Sequence, residues 1–361
     1  MTATRDLHRL GQSIWIDNIT RPMLDSGTLA RYISEFDVTG LTSNPTIYDK
    51  AIGASDAYDD SIRTTSERGG STEETFFDLA LDDLTRAADL FRPAYEASGR
   101  IDGFVSLEVS PLLAYDGDRT AEWAKRLHDQ AGRENLFIKI PGTPEGLKAI
   151  EESIVAGVPV NVTLLFSPRQ WLACAEAYTR AVERRIEAGL NPFVASVASV
   201  FISRWDAAAP DDLPADLKLQ LGLAVGRAIY ADYVAFFASD RWTALKAKGA
   251  KPQRLLFAST GTKDPTASKM LYVEGLAAPD TVNTMPEETL LALADADVRL
   301  APLPTDGADA RGMLARFEQA GVGIEDLGLQ LQQKGAASFV TSWESLMKRV
   351  TEKAQAVTSG A

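Results

Sequence analysis

Lys139 is the side chain with the most chemistry to offer. It stands in the run LFIKI (136–140), flanked by Ile138 and Ile140. A lysine inside an apolar strand either snorkels to water or is buried on purpose. Burial disfavours an ammonium, and a neutral amine attacks a carbonyl carbon to form a Schiff base. The iminium then stabilises a carbanion at the neighbouring carbon, which is the chemistry of a metal-free aldolase. Proton transfers are needed at the amine, at the carbinolamine and at the hydroxyl whose C–C bond breaks. Two carboxylates, Asp17 and Glu108, suit separate jobs of that kind; the alternative for each is an ion pair or a strand-end cap. Asn161 and Thr163, one residue apart, share a face of an extended strand. Their alternative is an ordinary strand with a polar face. Thr42, Ser43, Asn44, Ser196, Ser199 and Ser259 sit in or at the ends of similar runs. For an anion, Arg204 and Lys263 supply charge, and Gly261 lets backbone amides approach. Otherwise Arg204 pairs with Asp206 and Lys263 is solvated.

These groups converge only if the strands that carry them run parallel and end on one side. Short apolar, β-branched runs recur at 13–17, 38–43, 103–109, 136–140, 159–165, 192–200, 254–259 and 281–284. Helical segments separate them. Ser71 with Glu74 forms a capping box, and that helix is expected to reach Phe91 before Pro93. Thr143–Pro144 and Ser167–Pro168 each read as a cap followed by a first-turn proline, closed by Gly157 and Gly189. One long helix is expected over 227–248, and an acidic surface loop over 207–217. Alternating strands and helices imply a parallel sheet with helices outside. Eight such strands give an α/β fold, a (β/α)8 TIM barrel with additional helices. No glycine-rich fingerprint follows the first strand, which disfavours a dinucleotide fold. The reading is one domain over residues 1–361, with two inserted helices at about 44–98 and a helical extension from about 307. That extension either covers the barrel mouth or packs on a neighbour, and Leu327, Leu329 and Leu331 do not decide between them.

Composition narrows the classes. Hydrophobic residues are 45% and charged residues 24% of the 361, as in an ordinary globular protein. The single cysteine, Cys174, excludes an internal disulfide and a cysteine zinc cluster, and His8 and His128 are too few for a histidine-rich metal site. A net charge of −13 argues against nucleic acid as a partner. No apolar run reaches the roughly 18 residues of a membrane span, and MTATRDLHRLGQ lacks the apolar core of a signal peptide. No membrane and a cytoplasmic location are therefore expected.

Taken in order, the runs resemble transaldolase. The series comprises IWIDNI, GLTSNPTI, SLEVSP, FIKIPGTPEGL, VNVTLLFS, SVASVFISRWD, FASTGTKD and VNTMPEETL, from about residue 10 to about 290. The length and the FASTGTKDP form of the seventh run look like the longer bacterial subgroup. The resemblance implies a barrel of the class I aldolase type, no metal or organic cofactor, and sugar phosphates as substrates. A dihydroxyacetone unit would pass from sedoheptulose 7-phosphate or fructose 6-phosphate to glyceraldehyde 3-phosphate or erythrose 4-phosphate, in the non-oxidative pentose phosphate pathway. By the same resemblance, Lys139 is the Schiff-base nucleophile and Glu108 the acid–base residue, acting through a water held with Thr163. Asp17 takes the proton from the C4 hydroxyl, and Asn44 and Asn161 hold the dihydroxyacetone hydroxyls. Thr42, Ser199 and Phe201 fall on pocket positions, and Arg204 matches a phosphate-binding arginine. The chain departs from the family pattern at Gly261, where a second phosphate arginine is common. Ser259 and Lys263 are the phosphate residues expected in its place, and lysine lacks the arginine fork. The competing readings are a fructose-6-phosphate aldolase-like enzyme and a silent sugar-phosphate binder on the same fold. No interface is legible, so a monomer or a homodimer is expected.

Overall fold

The computed structural model describes residues 2–359. Its strands are β1 (Ser13–Ile16), β2 (Val38–Leu41), β3 (Val105–Glu108), β4 (Leu136–Pro141), β5 (Val160–Leu165), β6 (Ser196–Phe201), β7 (Arg254–Ala258) and β8 (Val282–Met285). All the pairings are parallel, in the order β2-β1-β8-β7-β6-β5-β4-β3. The edges β2 and β3 meet where the Leu41 N–H donates to the Phe104 carbonyl at 3.0 Å. The result is a nearly closed (β/α)8 barrel, and all eight expected strands are present in it. Closure depends on Gly40. A Cβ there would lie 2.6 Å from the Phe104 carbonyl oxygen and 2.6 Å from the Trp15 ring. The sixth strand begins at Ser196 rather than at 192. Pro192 cannot donate to a ladder, and the Phe193 N–H donates to Asn191 Oδ1 in a local turn at 3.0 Å.

The helices differ from the sequence reading in four places. The insertion after β2 holds three helices, Pro45–Ala54, Asp59–Glu67 and Thr72–Ala97, not two. Asn44 caps the first of them by accepting the Ile47 N–H, with Pro45 in its first turn. The third carries the full capping box of Ser71 and Glu74, but it runs on through Pro93. Proline costs that turn one backbone bond. The segment beyond it is held by Tyr95, packed edge-on against Phe104 at 5.3 Å. Third, the expected helix 227–248 is two helices, Leu221–Phe237 and Asp240–Ala247, bent by 60°. Ser239 caps the second by accepting the Trp242 N–H, and Trp242 stacks on Tyr178 at 6.0 Å. The acidic segment 207–217 is helical through Ala208, and Leu213 and Leu217 pin the rest to the core. The cap at Ser167 forms as read, with Gln170 completing a box. Fourth, the helix Gly146–Val155 starts beyond Pro144 with Glu145 at its N-cap, and Thr143 Oγ1 only accepts the Gly146 N–H in the turn before it. No single helix among the described residues is long and apolar enough to cross a membrane.

The chain closes with helices Ala308–Gln319 and Ile324–Ser359. The latter, 36 residues long, lies along the inserted helices. Trp343 packs against Phe76 and Phe77, with ring centres 5.2 and 5.8 Å apart. Arg349 pairs with Asp49 at 3.1 Å, and Lys353 pairs with Asp59 at 2.7 Å. Buried Gln332 donates to the carbonyls of Gly142 and Leu164 at 2.9 and 3.0 Å. The helix is thereby fastened to the carboxyl ends of β4 and β5.

Candidate active site

Lys139 stands in register with Glu108 on β3 and Asn161 on β5. It does not snorkel: the residue is 5% exposed. Its Nζ donates to the Ser43 carbonyl at 3.0 Å and lies 3.6 Å from Glu108 Oε2. The Phe339 ring of the last helix sits 6.0 Å from the ammonium. Burial pushes the Glu108 carboxyl above its ordinary range; the Lys139 charge opposes this and the Asp17 charge adds to it. Glu108 therefore holds its proton more firmly than an ordinary glutamate.

Strand β5 supplies two groups of different availability. Asn161 is consumed by the wall: Oδ1 accepts from Ser199 Oγ at 2.6 Å and Nδ2 donates to Ser106 Oγ at 3.1 Å. The Thr163 hydroxyl is buried and has no partner among the described residues. Its neighbour Leu164 has φ +60°, and the β5–β6 register shifts between Val162 and Leu165. Such a bulge re-aims a side chain at a strand end. Here it leaves Thr163 on the cavity wall. Asp17 makes no ion pair among the described residues; its Oδ1 accepts from Thr42 Oγ1 at 2.7 Å, and Thr42 is bonded to Thr284 Oγ1 at 2.8 Å.

A cavity of about 370 Å³ opens at the carboxyl end of the barrel. Asp17, Thr42, Asn44, Lys139, Thr163, Ser199, Phe201, Arg204, Ser259 and Lys263 all line it. Glu108 and Asn161 lie behind that wall. Glu108 instead borders a void of about 10 Å³ shared with Ser43, Asn44 and Tyr48, close to the room one water needs. Asn44 Oδ1 is spent on its helix cap, so its amide nitrogen is the end free for a ligand.

The cations gather on one side. Arg204 does not pair with Asp206, whose oxygens accept from the Leu221 and Gly222 N–H groups and the Tyr272 hydroxyl. The Arg204 guanidinium lies 5.2 Å over the Phe201 ring with no carboxylate partner among the described residues, and burial lowers its pKa. Lys263 is exposed on the rim. Ser259 has φ +55° and its Oγ lies 2.9 Å from Ser203 Oγ. An unpaired, half-buried guanidinium beside hydroxyls is suited to an anion.

Sequence reasoning missed part of the lining. Thr46, Ile47 and Lys50 come from the first inserted helix, and Ser338, Phe339 and Ser342 from the last helix. Periodicity showed those segments to be helices, but not which face meets a mouth built from strands far away in sequence. Of the two readings of the tail, the structure has it covering the mouth. Thr284 was visible only as the end of the eighth run, 281–284. Among the described residues, no three His, Cys, Asp or Glu side chains converge as metal ligands would.

Fold and site together define a barrel that presents one buried amine, flanked by carboxylates, to a cavity with a cationic rim. The family model described as Transaldolase/Fructose-6-phosphate aldolase matches residues 14–350. A protein named Transaldolase from Saccharopolyspora erythraea is 42% identical, over 98% of this chain and 99% of its own. One of the same name from Thermobifida fusca is 43% identical, with the same shares covered. Transaldolase 2 from a Nostoc species is 39% identical over 96% of each chain. The chain belongs to the transaldolase/fructose-6-phosphate aldolase family. The full-length likeness to proteins named transaldolase makes it an enzyme that transfers aldehyde or ketone residues.

Proposed function

We propose that the chain moves a dihydroxyacetone unit between sugar phosphates through a Schiff base on Lys139. The observation that carries this is the Lys139 amine, held at the cavity wall by the Ser43 carbonyl with a proton-accepting carboxyl 3.6 Å away. Fructose 6-phosphate or sedoheptulose 7-phosphate enters with its phosphate on Arg204, Ser259 and Lys263. The Lys139 nitrogen attacks C2, and a proton moves to the carbonyl oxygen to give the carbinolamine. Glu108 delivers the next proton through a water held with Thr163, and water leaves to form the iminium. Asp17, oriented by Thr42, takes the proton of the C4 hydroxyl. The C3–C4 bond breaks, the aldose phosphate departs, and its electron pair stays as an enamine conjugated to the Lys139 nitrogen. The Asn44 amide holds a hydroxyl of the retained three-carbon unit, Asn161 acts from behind the wall by orienting Ser199 rather than by touching the unit itself, and Phe201 shapes the wall. A second aldose phosphate, glyceraldehyde 3-phosphate or erythrose 4-phosphate, then takes up the carbanion, and hydrolysis frees the lysine.

The reading also carries a single barrel domain acting as a monomer or homodimer in the cytoplasm, within the non-oxidative pentose phosphate pathway. The deciding assay follows glyceraldehyde 3-phosphate release from fructose 6-phosphate, with and without erythrose 4-phosphate. Release that requires the acceptor is the expected result. Release to the same extent without it would make the enzyme an aldolase, and none in either case would leave a silent binder.

A further inference from the structure

We propose that a second cavity, at the barrel end opposite the mouth, binds a small planar aromatic carboxylate. This hollow measures about 460 Å³, larger than the one at the mouth. It lies where the strands begin: Ser196 opens β6, Arg254 opens β7, and Asp280 precedes β8. Phe137, two residues before Lys139 on the same strand face, belongs to its wall and stacks on Phe104 at 4.0 Å. Tyr230, Tyr233 and Phe237 of the helix Leu221–Phe237 wall it from outside. This end of a (β/α)8 barrel ordinarily serves stability. A hollow of ligand size, walled by aromatic rings with a few polar groups, has instead the make-up of a small-molecule site.

Its charge selects the ligand. Lys246, Lys251 and Arg254 line it against one carboxylate, Asp280. Neither lysine has a carboxylate partner among the described residues. Lys251 Nζ donates to the Gly99 carbonyl at 2.7 Å and lies 4.3 Å over the Phe193 ring, and Lys246 Nζ donates to the Phe237 carbonyl at 2.7 Å. An ammonium has three donors, so each keeps donors for a ligand. Arg254 is spent on the wall, donating to the Ser13 hydroxyl and the Thr281 carbonyl at 2.8 Å each and to the Ile101 carbonyl at 3.2 Å, so the two lysines carry the charge offered to a ligand. Tyr230 is buried, and its hydroxyl has no hydrogen-bond partner among the described residues. A ring would occupy the aromatic walls, and a carboxylate would accept charge-assisted bonds from the ammonium groups.

The test is calorimetric titration of the full chain with 2-naphthoate and, as the uncharged counterpart, 2-naphthamide. One naphthoate should bind per chain, the amide about tenfold more weakly. Lys251→Met should weaken naphthoate about tenfold, and Val234→Trp, which fills the hollow, should abolish binding. Arg204→Ala, altered only at the mouth, should bind naphthoate as the parent does. Lys251→Met decides alone if Val234→Trp fails to fold, which circular dichroism will show. Absence of naphthoate binding, equal binding of the amide, unchanged affinity in Lys251→Met, or loss in Arg204→Ala would each overturn the proposal.

Discussion

Glu108 and Lys139 lie 3.6 Å apart with their side chains 8% and 7% exposed, so the Lys139 charge acts directly on the Glu108 carboxyl. Because burial raises the Glu108 carboxyl, the native state holds that proton more tightly than the unfolded chain does. Stability from this group is complete below the ordinary glutamate range and falls as pH rises through the raised native value. Glu108→Gln removes the titration. Its melting temperature relative to the parent should therefore climb as pH rises above the ordinary glutamate range, and a constant difference would contradict the assignment. The same change should slow imine formation by about 10²–10⁴-fold, read as a pre-steady-state rate, while substrate affinity moves far less. At the rim, the proposal puts the substrate phosphate on Arg204. Arg204→Ala should raise KM for fructose 6-phosphate by about 10–100-fold with a smaller effect on kcat, and an unchanged KM would take the phosphate elsewhere. These residues were legible because a lysine between isoleucines, or a glutamate in an apolar run, violates local pattern. Thr284 and Lys50 violate nothing, and only the fold puts them beside the cavity.

The elements themselves were legible where the signal is local. The capping boxes at Ser71 and Ser167 formed because every atom involved lies within three residues. What failed was punctuation set from outside. Pro93 reads as a stop, yet Tyr95 against Phe104 keeps the helix going. The bend at Ser239 is hidden in a continuously helical pattern. The Leu164 bulge is equally silent in sequence, since leucine has no preference for φ +60°. Gln332 holds the carbonyls flanking that bulge, and Trp343 holds the last helix to the insertion. Trp343→Ala should cost about 3–5 kcal/mol and increase hydrogen exchange across 324–359. Unchanged exchange there would mean the helix is anchored by its ion pairs instead. Gly40→Ala should prevent barrel closure, because its Cβ meets a carbonyl oxygen and the Trp15 ring; a soluble variant with parental stability would refute that.

At the scale of the whole molecule, the sequence predicted eight parallel strands and thus one mouth, since polar residues recur at the ends of successive apolar runs. It did not predict how the last helix joins the mouth, because Phe339 and Lys139 are related only through the folded chain. The buried core runs continuously from Ala3 to Val350 and takes in the insertion and the terminal helices. Barrel and additions should accordingly unfold in one calorimetric transition, and two resolved transitions would contradict a single cooperative unit. The central claim is the covalent bond between Lys139 and the ketose, which one experiment reads directly. The protein is treated with fructose 6-phosphate and sodium borohydride, digested and analysed by mass spectrometry. The account predicts a reduced three- or six-carbon adduct on the peptide carrying Lys139, with activity lost in proportion and no adduct in Lys139→Ala. Labelling of another lysine, or full turnover by Lys139→Ala, would contradict it.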